Sequence, residues 1–246
     1  RWIVPIEPEG QVLEQHALAI DHGRILAILA QAEAAALYTA GTTLDLDRHV
    51  LMPGLINAHT HAAMTLLRGL ADDLPLMRWL QDHIWPAEAR WVNPQFVRDG
   101  TELAVAELLR GGVTCFNDMY FFPEVTAAVA HEAGIRACVG LIALDFPTAY
   151  ARDLDEYLAK GLALHETLRS APLLHTALAP HATYTVSAPA LERIGRLAAD
   201  LNLPVHIHVH ETAVEVADFQ TRHGCRPLHR LADMGLLSNR LLAVHM

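Results

Sequence analysis

Two groups of histidines, the second followed closely by a glutamate, have the residue types and the spacing of a metal-dependent site. His59 and His61 form an H-x-H pair directly after the apolar run 50–56, which indicates a buried strand. His208 and Glu211 form an H-x-x-E pair at the end of a second apolar stretch. Side chains two apart on a strand point to the same face, and imidazole is a common ligand of zinc and related divalent ions. The spacing therefore predicts a site for a divalent metal ion, and such an ion can activate a water molecule.

The second histidine cluster leaves the choice of ligand open. His206, His208 and His210 share one face of the strand by period-two alternation, so the spacing alone does not say which of them ligates. Glu211 has the opposite parity, and it joins the site only if the strand has already ended. A turn just before a helix that starts near Thr212 would bring it there.

The composition sets broad limits on the function. With 246 residues, of which 52% are hydrophobic, the chain can bury a large core. A formal net charge of -10 argues against a polynucleotide partner, since nucleic-acid surfaces need positive charge. The three cysteines form no C-x-x-C, so neither a disulfide framework nor a cysteine-rich zinc site is predicted. The sequence has no secretory signal and no run of 18 apolar residues, and we therefore expect a cytoplasmic protein that binds no membrane.

Two regions differ in their pattern along the chain. Residues 1–50 contain alternating segments on both sides of Asp21-His22-Gly23, a turn sequence typical of a hairpin. A further short strand is predicted over residues 43–46. We expect 1–50 to form part of a small β domain and 51–246 to form the catalytic domain.

From residue 51 onward, strand and helix patterns alternate, and Gly or Asn stands where several helices should end. The predicted strands are 50–56, 112–117, 136–143, 173–179, 204–209 and 241–245. The predicted helices are 93–110, 123–133, 153–169, 187–201 and 213–233. Such units predict parallel strands joined by right-handed crossovers.

The positions of the polar residues favour a barrel over an open sheet. Almost every predicted strand is followed by one or more of them, and such side chains converge on one point only if the strands form a ring. A doubly wound sheet would often carry a glycine-rich phosphate loop, and no such motif is present. We therefore predict an α/β fold of the (β/α)8 barrel type, of which the chain supplies six strand units.

The ordered motifs resemble those of the amidohydrolase superfamily. Its opening motif is matched by residues 52–61 (MPGLINAHTH), and its aminohydrolase branch by His208-x-x-Glu211 with the later His245. The match continues through 66–73, 85–88 and 180–184. Taken together, the chain is similar to the 5′-methylthioadenosine/S-adenosylhomocysteine deaminases over essentially its whole length, with chlorotriazine hydrolases as near relatives.

This resemblance implies a barrel beside a small β-sandwich module and one divalent metal ion held by His59, His61 and His208. Zinc is the usual ion, with Fe2+ or Mn2+ as alternatives. Segment 173–181 contains no lysine, which favours one ion over the lysine-bridged pair of other members. The resemblance places a fourth ligand, an Asp, after a later strand. Because the chain starts without Met and ends within a strand pattern, we expect it to be the N-terminal part of a longer enzyme.

The resemblance also implies roles in catalysis. Glu211 would protonate the substrate ring and then the departing ammonia. His245 would hydrogen-bond the attacking water and the tetrahedral centre, where charge develops. The plainer alternatives are a helix N-terminal carboxylate for Glu211, favoured by the helix dipole, and a buried strand histidine for His245.

Three further residues are candidates for contacting the substrate. Glu88, which we expect in a loop after Trp85-Pro86, would accept two hydrogen bonds from ribose hydroxyl groups. His181 would contact the substrate near the ribose, although a packing role suits it equally. Trp79 would form an apolar wall for the base or the thioether, or it would be a core tryptophan.

We therefore predict hydrolytic deamination of an adenine nucleoside: 5′-methylthioadenosine, S-adenosylhomocysteine or adenosine. Glu88 and His181 favour a small ribosyl substrate, since free bases have no hydroxyl groups for them. The alternatives on the same scaffold are deamination of guanine or cytosine and dechlorination of a triazine; a non-catalytic metal-binding fragment is the alternative of another class. The absence of C-x-x-C excludes the separate zinc deaminase fold. Homo-oligomers are common among similar proteins, and the sequence leaves a homo-oligomer open here.

Overall fold

The computed structural model describes all 246 residues, and the chain divides into two compact units, Arg1–Leu55 and Ile56–Met246. In the first unit, a three-stranded sheet has the order β2-β1-β5, and β3 pairs with β4 as a hairpin. The elements of this unit are β1 (Trp2–Ile3), β2 (Leu13–Glu14), β3 (His16–Asp21), β4 (Arg24–Ala30), α1 (Gln31–Leu37) and β5 (Val50–Leu51). The hairpin turns at His22 and Gly23, which both have positive φ, as the turn sequence predicts. The predicted strand over 43–46 is wrong, because these residues are irregular.

The apolar run 50–56 is divided between two sheets. Val50 and Leu51 pair in parallel with Trp2 and Ile3, and the next strand starts only at Leu55. Pro53 lies between them and has no N–H for a sheet ladder. This pairing explains why the compact units divide after Leu55, whereas the sequence analysis divides the chain after residue 50.

The second unit is built on one sheet of six strands in the order β11-β10-β9-β8-β7-β6, which is the reverse of their order in the chain. Its strands are β6 (Leu55–Thr60), β7 (Val113–Asp118), β8 (Arg136–Ala143), β9 (Leu174–Pro180), β10 (Val205–His208) and β11 (Leu241–Val244). The pairs from β7 to β9 and from β9 to β11 are parallel. Strands that are consecutive in both chain and sheet exclude a doubly wound topology, which reverses direction within the sheet.

The sheet is strongly curved, so that its two edges approach each other. His59 lies on β6 at one edge, and His245 directly follows β11 at the other, yet their ring centroids are 5.4 Å apart. Five strand spacings in a flat sheet would separate them by roughly 24 Å. The predicted α/β barrel fold is therefore confirmed.

Most crossover helices match their predicted ranges. The helices of the second unit are a 3-10 helix (Ala62–Leu67), α2 (Leu76–Trp79), a π-helical turn (Leu80–Ile84), α3 (Trp85–Trp91), α4 (Pro94–Arg110), α5 (Pro123–Ala133), α6 (Leu154–Leu168), α7 (Ala188–Leu201), α8 (Ala213–His223) and α9 (Pro227–Asp233). Gly134 and Asn202 end α5 and α7 in the left-handed conformation, as predicted. The single helix predicted over 213–233 is wrong: Gly224, also left-handed, ends α8. None of these helices is both long enough and apolar enough to cross a membrane.

Candidate active site

Three histidines from two strands bring their Nε2 atoms together at the carboxyl ends of the barrel strands. His59 and His61 stand at the end of β6, and His208 is the last residue of β10. The Nε2 atom of His208 lies 3.2 Å from Nε2 of His59 and 3.2 Å from Nε2 of His61. The period of two along β6 places His59 and His61 on the same face, and the end of β10 places His208 opposite them. The three imidazoles therefore meet at one point.

Hydrogen bonds at the opposite ring nitrogens fix two of the tautomers. Nδ1 of His61 lies 2.6 Å from the Met119 carbonyl oxygen, and Nδ1 of His208 lies 2.6 Å from that of His181. A carbonyl only accepts, so each Nδ1 carries the hydrogen, and each neutral ring presents a lone pair at Nε2. Two lone pairs at 3.2 Å cannot hydrogen-bond to each other. A tetrahedral zinc ion with Zn–N of about 2.0–2.1 Å separates its ligand nitrogens by roughly 3.3–3.4 Å, so the donor set fits such an ion.

Burial keeps the rings of His59 and His208 uncharged. It lowers the pKa of His59 to about 3, with further lowering from His61 and other neighbouring histidines. Burial also lowers the pKa of His208 far below its ordinary value. Neutral imidazole is the form that binds a metal. The other nitrogen of His59, Nδ1, lies 2.8 Å from Nε2 of His206, which places His206 behind the cluster of three Nε2 atoms rather than in it.

A buried aspartate secures the segment that carries the first histidine pair. Asp118, at the end of β7, is 1% exposed. Its Oδ1 accepts hydrogen bonds from the Ala62 N–H at 2.6 Å and from the Thr60 hydroxyl at 2.9 Å. These two residues flank His61, so the Asp118 carboxylate fixes the backbone on both sides of that ring. Burial raises the pKa of Asp118, against the lowering effect of these bonds.

His245 lies against the same cluster. Its ring stacks on that of His208, with 5.3 Å between centroids and 14° between planes. The nearest ligating atoms of His59, His208 and His245 lie within 4.8 Å of one another. His245 is exposed and has a positive φ of 65°, so it is not the buried strand histidine of the plainer alternative.

A cavity of about 500 Å3 opens beside the histidine cluster. It is mostly apolar, with a few polar groups, as binding sites for small molecules usually are. Six of the eight predicted site residues line it: His61, Trp79, Glu88, His181, His208 and Glu211. The other two do not line the cavity: His59 belongs to the cluster, and His245 contacts it.

Glu211 reaches the cavity because β10 ends at His208 and α8 begins at Ala213. The chain turns between these elements, which resolves the parity problem of the sequence. The Oε2 atom of Glu211 accepts a hydrogen bond from the Tyr184 hydroxyl at 3.1 Å. The Glu211 N–H donates to Oε2 of Glu215 at 2.7 Å. Both ends of the residue are thereby oriented.

Glu88 lies in the first turn of α3, so its expected placement in a loop is wrong. The π-helical turn before α3 continues the helical path through Pro86, which is tolerated in a first turn. Oε1 of Glu88 accepts a hydrogen bond from the buried Tyr120 hydroxyl at 2.7 Å. Burial raises the pKa of Glu88 to about 7, although the bond from Tyr120 lowers it.

His181 and Trp79 differ in how closely they are tied to the cluster. The carbonyl of His181 accepts from His208, and its ring lies 4.9 Å from the His208 ring. Burial lowers the pKa of His181 to about 3, so the ring is neutral. Trp79 ends the short helix α2 and is only partly buried, with the cavity on one side.

Sequence reasoning missed two tyrosines that touch the candidate carboxylates. Tyr120 donates to Glu88, and Tyr184 donates to Glu211. Tyr184 falls inside the motif 180–184, and Tyr120 closely follows the polar end of β7. Their positions after strand ends were a usable signal, but nothing in the sequence paired them with carboxylates far away in the chain.

Comparison with known proteins adds to this geometry. The sequence profile described as the amidohydrolase family matches residues 50–246. The chain is 52% identical over 246 residues to the 5-methylthioadenosine/S-adenosylhomocysteine deaminase of Saccharophagus degradans, and 50% identical to that of Teredinibacter turnerae. Each of these two alignments covers 100% of this chain and 55% of the relative. The chain therefore spans about half the length of the curated relatives it matches. Among solved structures, an adenosine deaminase from Xanthomonas campestris with bound zinc is similar, with a TM-score of 0.93 and 52% identity over 100% of this chain and 56% of that one.

Proposed function

The chain belongs to the amidohydrolase family, and from this premise we propose that the protein is a metal-dependent hydrolase that deaminates an adenine nucleoside. The observation that carries the proposal is the convergence of three imidazole Nε2 atoms beside a cavity that the Glu211 and Glu88 side chains line. The names of the similar proteins, deaminases of adenosine and of its thioether derivatives, support it. The reaction converts the nucleoside and water into the inosine-type product and ammonia.

The metal would be held by Nε2 of His59, His61 and His208, and the match to a zinc-bound relative makes zinc our first choice. A bound divalent ion lowers the pKa of a water molecule toward about 7 and so supplies the nucleophile at neutral pH. The hydrogen bonds from His61 to Met119 and from His208 to the His181 carbonyl keep the ligand rings in place.

Glu211 would move protons at the substrate ring. Addition of water at C6 of adenine places negative charge on the ring unless N1 gains a proton. Glu211 in its acid form would donate that proton, then take up the proton of the hydroxyl group added at C6 and pass it to the departing amino group. Tyr184 occupies Oε2 of the carboxylate, which leaves Oε1 for this transfer. His245, beside the His208 ring, would donate a hydrogen bond to the oxygen where charge develops.

Glu88 would bind the ribose. One of its oxygens is held by Tyr120, and the remaining lone pairs can accept from two neighbouring hydroxyl groups. Because His181 stays neutral, it can approach the ribose without a competing ion pair to Glu88. Trp79 would supply apolar contact to the base or to a 5′ thioether.

Ammonia release by the full, zinc-loaded protein tests the proposal. The panel contains 5′-methylthioadenosine, S-adenosylhomocysteine, adenosine, guanine, cytosine and a chlorotriazine. We expect turnover of the adenine nucleosides, and a fall in kcat of at least about 100-fold in Glu211→Gln, which keeps the shape but cannot shuttle protons. Glu166→Gln is the matched control, since Glu166 is exposed on α6 and pairs only with Arg169.

Each other result has a defined meaning. Turnover restricted to free bases or the triazine would reject the ribose-binding role of Glu88 and His181. Full activity in Glu211→Gln would reject its role as the proton carrier. A zinc-loaded protein that is silent across the panel would reject the deaminase function.

A further inference from the structure

The loop 144–153, between β8 and α6, forms one wall of the cavity. Five of its residues line the cavity: Leu144, Phe146, Pro147, Thr148 and Ala149. The Phe146 ring packs edge-on to Trp85, with 6.3 Å between centroids. Trp85 stands one helical turn before Glu88 on α3. The loop therefore faces the part of the cavity next to the proposed ribose carboxylate.

A directed chain of hydrogen bonds connects this loop to α6. Thr148 Oγ1 accepts from the Tyr150 N–H at 3.1 Å and lies 2.6 Å from the Tyr157 hydroxyl. The Tyr157 hydroxyl also lies 3.4 Å from the Phe146 carbonyl oxygen, which can only accept. If Tyr157 donates to Phe146, the Thr148 hydroxyl donates to Tyr157, and every group in the chain uses one hydrogen.

A charged group on the same face of α6 holds the far end of the loop. Lys160, the only lysine of the chain, donates to the Tyr150 carbonyl and lies 4.9 Å above the centre of the Tyr150 ring. Its ammonium also pairs with Glu156 at 3.0 Å. Glu156 in turn accepts from the Arg152 N–H at 3.0 Å. Tyr157 and Lys160 thus hold the loop backbone from Phe146 to Arg152 without lining the cavity.

We propose that Tyr157 and Lys160 are positioning residues that set the affinity of the cavity for its substrate by fixing the loop 144–153. The inference depends on the proposed deaminase function for its kinetic consequence. Neither residue touches the histidine cluster, so a loosened loop should weaken the bound state and the transition state about equally. Such a change raises KM and leaves kcat nearly unchanged.

Tyr157→Phe and Lys160→Met test the positioning role in the full, zinc-loaded protein. Tyr157→Phe keeps the buried ring and removes only the hydroxyl, and Lys160→Met keeps most of the aliphatic stem. For the nucleoside that the wild type turns over fastest, we expect KM to rise about 5- to 20-fold in each variant, since each loses one or two hydrogen bonds. We expect kcat to stay within about twofold. Lys160→Arg, which retains a donor and the charge, should restore KM to within about threefold of the wild type.

Asp155→Asn is the matched control on the same helix. It breaks the exposed pair between Asp155 and Arg193, which does not involve the loop, and it should leave KM unchanged. Hydrogen exchange of the loop amides provides a readout that does not depend on activity. The Tyr150 N–H, bonded to Thr148, should exchange about 5-fold faster in Tyr157→Phe and as in the wild type in Asp155→Asn.

The outcomes separate this inference from the proposed function. Unchanged loop exchange in both variants would overturn the positioning role, as would a fall in kcat with KM unchanged. Faster exchange with unchanged KM would also overturn it, because loosening the loop would then have no effect on substrate binding. A wild type that turns over no nucleoside would reject the deaminase function and the kinetic part together, and the exchange result would still report whether α6 fixes the loop.

Discussion

Ionisation of the Glu88 carboxyl group should affect both substrate binding and the stability of the fold. Burial raises its pKa to about 7, against an ordinary value near 4.5. Between these values the folded state holds a proton that the unfolded state has lost. Stability therefore falls as the pH rises from about 4.5 to 7, and the full penalty is present above 7. In its proposed ribose-binding role the same carboxylate must be ionised to accept two hydroxyl groups, and its placement would then favour binding at the expense of stability.

Glu88→Gln should accordingly stabilise the protein at high pH only. The Gln side chain can still accept from Tyr120 but carries no charge to bury. At pH 8 we expect a gain of about 1–3 kcal/mol in the free energy of unfolding, and at pH 4 no difference, measured by urea unfolding. Nucleoside binding should weaken at pH 8 in the same variant. Equal stability of variant and wild type at pH 8, with the exposed Glu166→Gln as reference, would contradict the buried charge.

The sequence could indicate the metal-binding residue types but not their individual roles. His206, His208 and His210 have the same parity, and they differ only in their position relative to the end of β10 at His208. His206 lies one pleat deeper and contacts Nδ1 of His59, while His210 lies beyond the strand and receives a bond from the Leu228 N–H at 3.4 Å. Where a strand stops depends on pairing with its neighbours, which period-two alternation does not encode.

Among the elements, the regular crossover helices were predictable and the segment before them was not. Helices such as α5 have an apolar face and a terminal Gly134, both visible in the sequence. Residues 62–91 instead form a 3-10 helix, a short α-helix, a π-helical turn and α3 in close succession. Helices this short have no complete apolar period, so tertiary contacts decide them. This is the segment that carries Trp79 and Glu88, which is why Glu88 was expected in a loop.

The contact between α4 and the 3-10 helix places a specific demand on Gly100. A Cβ atom there would lie 2.8 Å from Cα of Ala63, which is itself fully buried two residues after His61. Helix propensity favours Ala over Gly by about 1 kcal/mol, but backbone atoms at this distance cannot give way cheaply. Overpacking typically costs about 1–3 kcal/mol. The cost of the clash should therefore exceed the gain in helix propensity, and the substitution should destabilise the protein.

Gly100→Ala should lower the midpoint of thermal unfolding. It should also weaken zinc retention, because the new Cβ would displace the Ala63 backbone, two residues after His61. Gly195→Ala on α7 is the control: its new Cβ would meet a side-chain methyl group of Leu236 at 3.1 Å, which can move. The control should be neutral or slightly stabilising. A stabilised Gly100→Ala would mean that propensity outweighs the close approach and that the two helices can separate without loss.

Across the whole barrel, the metal would join strands that are not neighbours. β6 and β10 are separated in the sheet by β7, β8 and β9, and the curvature alone brings His59 and His61 to His208. An ion bound there would cross-link opposite walls and stabilise the folded state by mass action. At a free zinc concentration 1,000 times Kd, the free energy of unfolding would rise by about 4.1 kcal/mol. Removing the zinc with a chelator should therefore lower the unfolding temperature by several degrees.

Variants of single histidines then distinguish the proposed metal ligands from the proposed hydrogen-bond donor, His245. His59, His208 and His245 are close enough to form a ligand trio of their own, but the 3.2 Å contact between His61 and His208 Nε2 atoms favours His61 as the third ligand. We expect His61→Asn to lose both bound zinc and the chelator-sensitive part of the unfolding temperature. His245→Asn should keep both and lose turnover, because its ring would act on the reacting oxygen rather than on the ion. The reverse pattern, with zinc lost in His245→Asn and kept in His61→Asn, would assign the ion to the exposed side of the cluster, away from the cavity that His61 lines.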